Sequence, residues 1–263
     1  MKTRDIQEAM AVDPIDLERR VKDMYKKVAL QPEVTYHFEM GRELAESLGY
    51  PSKELDLIPK EAIESFAGVG YYFDFANLNK GEVVVDLGSG SGMDVFFAAN
   101  QVGPSGEVIG IDMTEEQLQK SVKLGKDAGF KQLVFRKGYI EEVPVVSNCI
   151  DVVISNGVIN LSSDKKRVFK EAARVLKEGG RLVLSDIVTE AKLPASISCN
   201  ATLWAACIGG AMQVEDYKEL IEEAGLKIME VKENPYAFIS SNAQGASKQY
   251  GIKSISLMAV KIA

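Results

Sequence analysis

A chain of 263 residues suits one large α/β domain with an accessory segment, and 46% hydrophobic with 26% charged residues is ordinary globular usage, which excludes a fibrous or disordered chain. A net charge of −7 argues against nucleic acid, whose phosphates need a basic surface, and favours a small-molecule partner. No apolar run approaches the roughly 18–20 residues of a membrane span, and Met1-Lys2-Thr3-Arg4-Asp5 lacks the apolar stretch of a secretory signal, so the expected location is cytoplasmic. The three cysteines, Cys149, Cys199 and Cys207, fit no metal spacing, and one histidine, His37, excludes a two-imidazole scheme.

Residues 13–48 read as helical: Asp13-Pro14 offers an N-cap and a first-turn proline, and Leu17, Val21, Met24, Tyr25 and Val28 recur at helical spacing. The glycine-rich, aromatic stretch Phe66 to Phe73 follows as a candidate lid, so residues 1–79 are expected to form an N-terminal helical cap and lid. From residue 82 short apolar strands alternate with amphipathic helices, the signature of βαβ units. Strands are predicted at 83–87, 107–112, 132–136, 150–155, 181–187, 227–233 and 252–260. Thr114-Glu115-Glu116-Gln117 reads as a capping box opening a helix that stops at Gly129. A helix over 164–177 should end at Gly179-Gly180, and another over 213–224 at Gly225, with 190–211 irregular or in short helix. The last two strands are joined by a long polar loop without the helix of a parallel crossover, which predicts an antiparallel final pair. The expected fold is therefore a doubly wound, Rossmann-like α/β fold with a seven-stranded, mostly parallel sheet over 80–263 and an acceptor-covering insertion near 189–212.

The strongest signal is Val85-Asp86-Leu87-Gly88-Ser89-Gly90-Ser91-Gly92, a strand ending in an acid and a GxGxG turn. Glycines let the backbone approach a ligand, and the following helix N-terminus offers free N–H groups to a carboxylate. Asp112, closing the second strand, stands where doubly wound folds place an acid for ribose hydroxyls. S-adenosylmethionine (SAM) fits this pattern. Its rival, a dinucleotide, normally takes GxGxxG and a pyrophosphate that Asp86 would repel. The expected cofactor residues are Asp86, Gly88, Ser89, Gly90, Gly92, Asp112, Met113, Ile140, Glu141 and Asn156, with the 138–144 segment gripping the adenine through backbone N–H groups and apolar contact from Ile140, and Tyr139 free to stack on it.

Together with Phe66-Ala67-Gly68-Val69-Gly70, Asp86 to Asp94, Val108 to Thr114, Ile154-Ser155-Asn156-Gly157-Val158-Ile159-Asn160-Leu161 and Cys207-Ile208-Gly209-Gly210-Ala211, the sequence resembles the arsenite methyltransferases over about residues 20–230. The resemblance implies a class I methyltransferase fold, SAM as methyl donor and a small-molecule acceptor held by cysteine thiolates. One of those thiolates matches Cys207; where the family writes another cysteine, after the fourth strand, this chain has Gly157. Soft thiolates suit trivalent arsenic, so the glycine keeps a thiol, natural-product carbon or lipid-like acceptor open. A SAM-binding regulator without turnover stays open too. Candidates for the acceptor side are Cys207, Asn156, Tyr72 and His37, whereas Cys149 reads as structural and Trp204 as core.

Overall fold

The computed structural model describes residues 13–194, 197 and 208–262. Among the described residues five helices precede the first strand: α1 (Pro14–Leu30), α2 (Gly41–Leu48), α3 (Ser52–Leu55), α4 (Lys60–Glu64) and α5 (Phe73–Ala76). Asp13 caps α1 by accepting from the Ile15 amide at 3.0 Å, with Pro14 at the first helical position. The helical reading of 13–48 is therefore broken in the middle. The helix stops at Leu30, Pro32 follows, and the next begins only at Gly41.

The sheet takes β1 (Val83–Leu87), β2 (Glu107–Asp112), β3 (Leu133–Lys137), β4 (Ile150–Asn156), β5 (Leu176–Thr189), β6 (Met212–Gln213), β7 (Leu226–Glu233) and β8 (Lys253–Lys261). Their order is β3-β2-β1-β4-β5-β8-β7, with the two-residue β6 beside the end of β5. All neighbours are parallel except where β8 runs against β5 and β7. The period of two along each strand sends alternate residues into two cores. Val84, Val108, Val152 and Val183 face α6 (Met93–Val102) and the N-terminal helices. Val85, Ile109, Val153 and Leu184 face α8 (Lys165–Val175) and α9 (Val214–Glu223). Burial on both faces explains why β1 and β4 read as mostly apolar runs, broken by Asp86 in β1 and by Asp151 in β4. The chain reverses direction across the sheet between β1 and β4, and ligands of open α/β sheets bind outside the strand ends at such a switch.

Three local expectations give way. The helix after β4 ends at Val175 rather than at the glycine pair: Leu176 already pairs with Ile150 in the sheet, and Gly179-Gly180 sit in an irregular stretch of β5. A Cβ on Gly180 would stand 3.1 Å from the carbonyl oxygens of both Ile150 and Asp151, so this glycine serves strand contact. The capping box at α7 (Glu115–Asp127) does not form. The Thr114 amide instead donates to Asp112 at 2.7 Å, and Gln117 turns toward α1 and the glycine loop. Finally, β7 and β8 are antiparallel as predicted, but the connection holds a helix, α10 (Ser241–Tyr250), capped by Ser240. Its only buried residues among those described are Ala243 and Ala246, too small a stripe to register in the sequence as an apolar face.

Candidate functional site

At the switch point lies a cavity of about 470 Å³, walled by the ends of β1, β2 and β4, the first turn of α6, the 138–142 turn, the 158–164 turn, and α1 above. Its size is that of a small-molecule site. The glycine loop builds its floor. Gly88, at φ +73°, takes the left-handed conformation, and a Cβ there would stand 2.6 Å from Cγ2 of Val158. Only glycine combines that turn with that approach.

Of the carboxylates lining this cavity, three gather around the glycine loop: Asp86 from β1, Asp94 from α6 and Asp112 from β2. Asp112 is held in place by the amides of Gly90 at 2.9 Å and Thr114 at 2.7 Å. Burial nevertheless pushes its carboxyl above the ordinary range. Asp94, buried, accepts from the Tyr50 hydroxyl at 2.7 Å, the Tyr72 hydroxyl at 2.8 Å and the Asn156 amide at 3.1 Å. Burial outweighs these donors and raises it too. Asp86 is 3% exposed and, among the described residues, receives no hydrogen bond. Burial pushes its carboxyl well up, and the neighbouring charges of Asp94 and Asp112 push it further. Beside it the Ser89 hydroxyl is buried and unpartnered among the described residues. Polar atoms are rarely buried without partners, so both invite a ligand, and the carboxylate invites a cationic one.

Asn156 ties this site to the strap of residues 66–73. Its side-chain oxygen accepts from the Val69 amide at 2.8 Å, and its nitrogen donates to the Gly70 carbonyl at 3.0 Å as well as to Asp94. Gly68 is required for that approach, because a Cβ there would lie 2.6 Å from the Asn156 nitrogen. A buried set of Ser185, Asn234, Ser254 and Ser256 anchors the other side of the strap, with Ser254 donating to the Val69 carbonyl at 2.6 Å. Across the cavity, α1 is fastened at two places along its length. Tyr139 donates to Glu18 at 2.9 Å and accepts from Lys22 at 2.8 Å, while Gln117 donates to the Tyr25 carbonyl at 2.9 Å.

Of the residues singled out in the sequence, Asp86, Gly88, Ser89, Gly90, Asp112, Met113, Ile140, Glu141 and Asn156 share the cavity wall. Gly92 does not. At φ +95° it turns the chain into α6, and a Cβ would press on Phe96, Phe135 and Ser121 in the interior. Tyr72 is fully buried, its hydroxyl on Asp94, and does not line the cavity among the described residues. His37 lies exposed on the 31–40 connection, edge-on to Phe38 at 5.0 Å and apart from the cavity lining. Cys207 and Trp204 fall outside the described residues, as does Cys199. Cys149 is remote from the cavity, its thiol on the Val146 carbonyl at 2.9 Å. Asp94 went unassigned in the sequence. Its signal was an acid at helix position two following a glycine loop, indistinguishable there from a residue favouring the helix dipole.

Comparison with known proteins agrees with this geometry. Residues 78–225 match the family described as a methyltransferase domain. The chain is 39% identical over 198 residues to an arsenite methyltransferase of Halobacterium salinarum, covering 74% of this chain and 50% of that protein. It is 40% identical over 151 residues to the arsenite methyltransferase of Homo sapiens, covering 54% of this chain and 40% of the human one. The chain thus spans half or less of the length of these curated relatives. An arsenic(III) S-adenosylmethionine methyltransferase from Chlamydomonas reinhardtii superposes with a TM-score of 0.67 at 30% identity, over 81% of this chain and 73% of that one. A geranyl diphosphate methyltransferase shares the fold with a TM-score of 0.67 at 15% identity, over 94% of this chain and 100% of that one.

Proposed function

We propose that this chain, which belongs to the methyltransferase-domain family, moves the methyl group of S-adenosylmethionine onto a small-molecule acceptor of the arsenite methyltransferase kind. The observation that carries the reading is Asp86, a buried carboxylate facing the cavity without a hydrogen-bond donor among the described residues. An uncompensated buried charge costs several kcal/mol. A ligand bearing a sulfonium and an ammonium offsets that cost, and a pyrophosphate would add to it. Asp112, steadied by two backbone amides, is oriented to accept from ribose hydroxyls, and Ile140 offers an apolar face to the adenine.

Bound SAM supplies an electrophilic methyl on a cationic sulfur; the acceptor's lone pair takes it as the sulfur–carbon bond breaks. The chain's own contribution is proximity and alignment. Asp86 and Asp94 hold the cationic end at the strand edge, and Asn156 fixes Asp94 against the strap that closes this side. We assign residues 1–79 to the cap and lid and 80–263 to the methyl-transferring domain, with 189–212 over the acceptor. Asn156 and Cys207 remain the acceptor-side assignments; Tyr72 acts through Asp94.

Gly157 favours a second reading. Among the described residues no thiol lines the cavity, and at Gly157, where the resemblance expects a thiolate, φ is +72°. A non-arsenic acceptor, such as a thiol or an apolar carbon, then takes the same methyl. The test is calorimetric SAM binding followed by labelled-methyl transfer to arsenite and to small thiols. Tight binding that Asp86→Asn weakens, with transfer to arsenite, is expected; no SAM binding overturns the cofactor reading, and binding with transfer only to other acceptors selects the second.

A further inference from the structure

Two separate pieces of chain wall the cavity opposite the sheet, and one lysine that does not line it holds both. Leu17, Val21 and Tyr25 of α1 form one piece, and residues 65–68, at the start of the strap, form the other. The end of α1 lies in the interior. Val28 and Ala29 of its last turn are buried, and carbonyls there need partners from outside the helix. Lys120, half-buried on α7, supplies them: its ammonium donates to the Ala29 carbonyl at 3.2 Å and to the Ser65 hydroxyl at 2.7 Å. That hydroxyl, on a residue only 8% exposed, donates in turn to the Val28 carbonyl at 3.2 Å. A cation at a helix C-terminus meets the negative end of the dipole, and a charged donor bonds roughly twice as strongly as a neutral one. One turn earlier on the same face of α7, Gln117 donates to the Tyr25 carbonyl at 2.9 Å. The helix α7 thus grips α1 at two points, and the second grip takes in the strap as well.

We propose that Lys120 is a positioning residue that locks the end of α1 to the start of the strap through Ser65, and so sets how tightly the two close on the methyl donor. This rests on the reading of the cavity as a SAM site. Without the ammonium, the Ala29 carbonyl and the Ser65 hydroxyl lose their common donor, and α1 and the strap are seated independently. Binding must then order both pieces, and that cost is taken from the affinity. Because Lys120 does not line the cavity, its loss removes no contact with the donor itself.

The test measures SAM dissociation constants by calorimetry, melting curves and backbone hydrogen exchange for the wild type, Lys120→Met, Ser65→Ala, the double variant and Lys120→Arg. Lys120→Met is expected to bind SAM about tenfold more weakly, the equivalent of one hydrogen bond from a charged group. Lys120→Arg, which keeps the charge and its donors, should regain part of that loss. Since the two residues act through one junction, the loss in the double variant should fall short of the product of the single losses. Amides of α1 and the strap should exchange faster in Lys120→Met, with those of β1 and β4 unchanged. If Lys120→Met fails to fold, Ser65→Ala carries the same exchange and affinity measurements. A lowered melting temperature with unchanged SAM affinity would make Lys120 merely structural, and losses that multiply in the double variant would separate it from Ser65; either result overturns the proposal. A wild type that binds no SAM overturns the cavity reading itself, whereas the proposal fails on its own account if the wild type binds SAM and the variants bind it equally.

Discussion

The side-chain amide of Asn156 meets the carboxylate of Asp94 at 3.1 Å, and the same amide holds both the Gly70 carbonyl and the Val69 amide. One side chain at the end of β4 thereby couples the cavity wall to the strap over it. Removing it leaves Asp94 short of a donor and two buried backbone groups unpaired. Asn156→Ala should lower stability by about 1–3 kcal/mol, the cost of unsatisfied buried groups. It should also weaken SAM binding, because Asp94 loses its fixed direction. Asn156→Asp should do worse on both counts by placing a like charge beside Asp94. Melting curves with and without SAM separate the two effects: a loss of melting temperature alone, with the SAM-induced increment intact, would confine Asn156 to a structural role.

The carboxylates make a pH prediction with a defined sign. Asp86 and Asp94 have folded values above their ordinary 3.8, so the folded protein binds more protons than the unfolded one above that pH. Their favourable contribution is fully present below about 4 and is lost as pH rises toward the raised values. The ligand-free protein should therefore lose stability from these groups between acid and neutral pH. A cationic ligand reverses the penalty by pairing with the ionised form. The SAM-induced rise in melting temperature is expected to grow from pH 5 to pH 7.5 in the wild type and to flatten in Asp86→Asn. A SAM increment independent of pH in the wild type would mean that Asp86 does not face the cation.

Most of the sheet was legible because burial on both faces writes itself as apolar runs: Val83 to Leu87 and Ile150 to Ser155 allow little else. The glycine loop and Asp112 were legible because their chemistry is local, a turn and an acid at fixed separation. What could not be read was long-range. Asp94 gains its meaning from Tyr50, 44 residues earlier, and from Asn156, 62 residues later. The Tyr72 hydroxyl likewise donates to Asp94, a partner that nothing in the local sequence marks. The capping box failed for a related reason: Asp112 claims the Thr114 amide, and the Gln117 side-chain oxygen accepts from the Ser91 hydroxyl while its nitrogen donates to the Tyr25 carbonyl of α1. Local preference lost to tertiary contact in each case.

Two glycines should respond very differently to alanine. At Gly70 a new Cβ would lie 2.5 Å from the Ser185 hydroxyl and closer still to the Asn234 amide, inside the buried set that anchors the strap. At Gly129, φ is +74° but nothing lies within 4 Å of the added carbon. Gly129→Ala should therefore cost only the left-handed backbone penalty, about 1–2 kcal/mol. Gly70 is not left-handed, so Gly70→Ala carries no such backbone penalty and should instead cost overpacking of roughly 1–3 kcal/mol. It should also impair SAM binding through Asn156. Chemical denaturation and SAM calorimetry of Gly70→Ala decide this, and unchanged stability with unchanged affinity would mean that the strap yields freely around Gly70.

Gly157 offers a gain-of-function test of the acceptor. A Cβ there would stand 3.2 Å from Cγ1 and 3.5 Å from Cγ2 of Val69, a side chain only 2% exposed. The position is thus closed by packing as well as by its φ of +72°, and Gly157→Cys should cost about 1–2 kcal/mol from the backbone. Val69→Ala in the same chain would relieve the contact and recover part of the loss. If this edge of β4 is where the acceptor sits, the new thiol should tighten arsenite binding, since trivalent arsenic prefers soft sulfur ligands. Arsenite titration of the double variant against Val69→Ala alone reads that directly. Unchanged arsenite affinity with the thiol demonstrably reactive would show that the acceptor lies elsewhere, and that Gly157 serves only to let the strap close on β4.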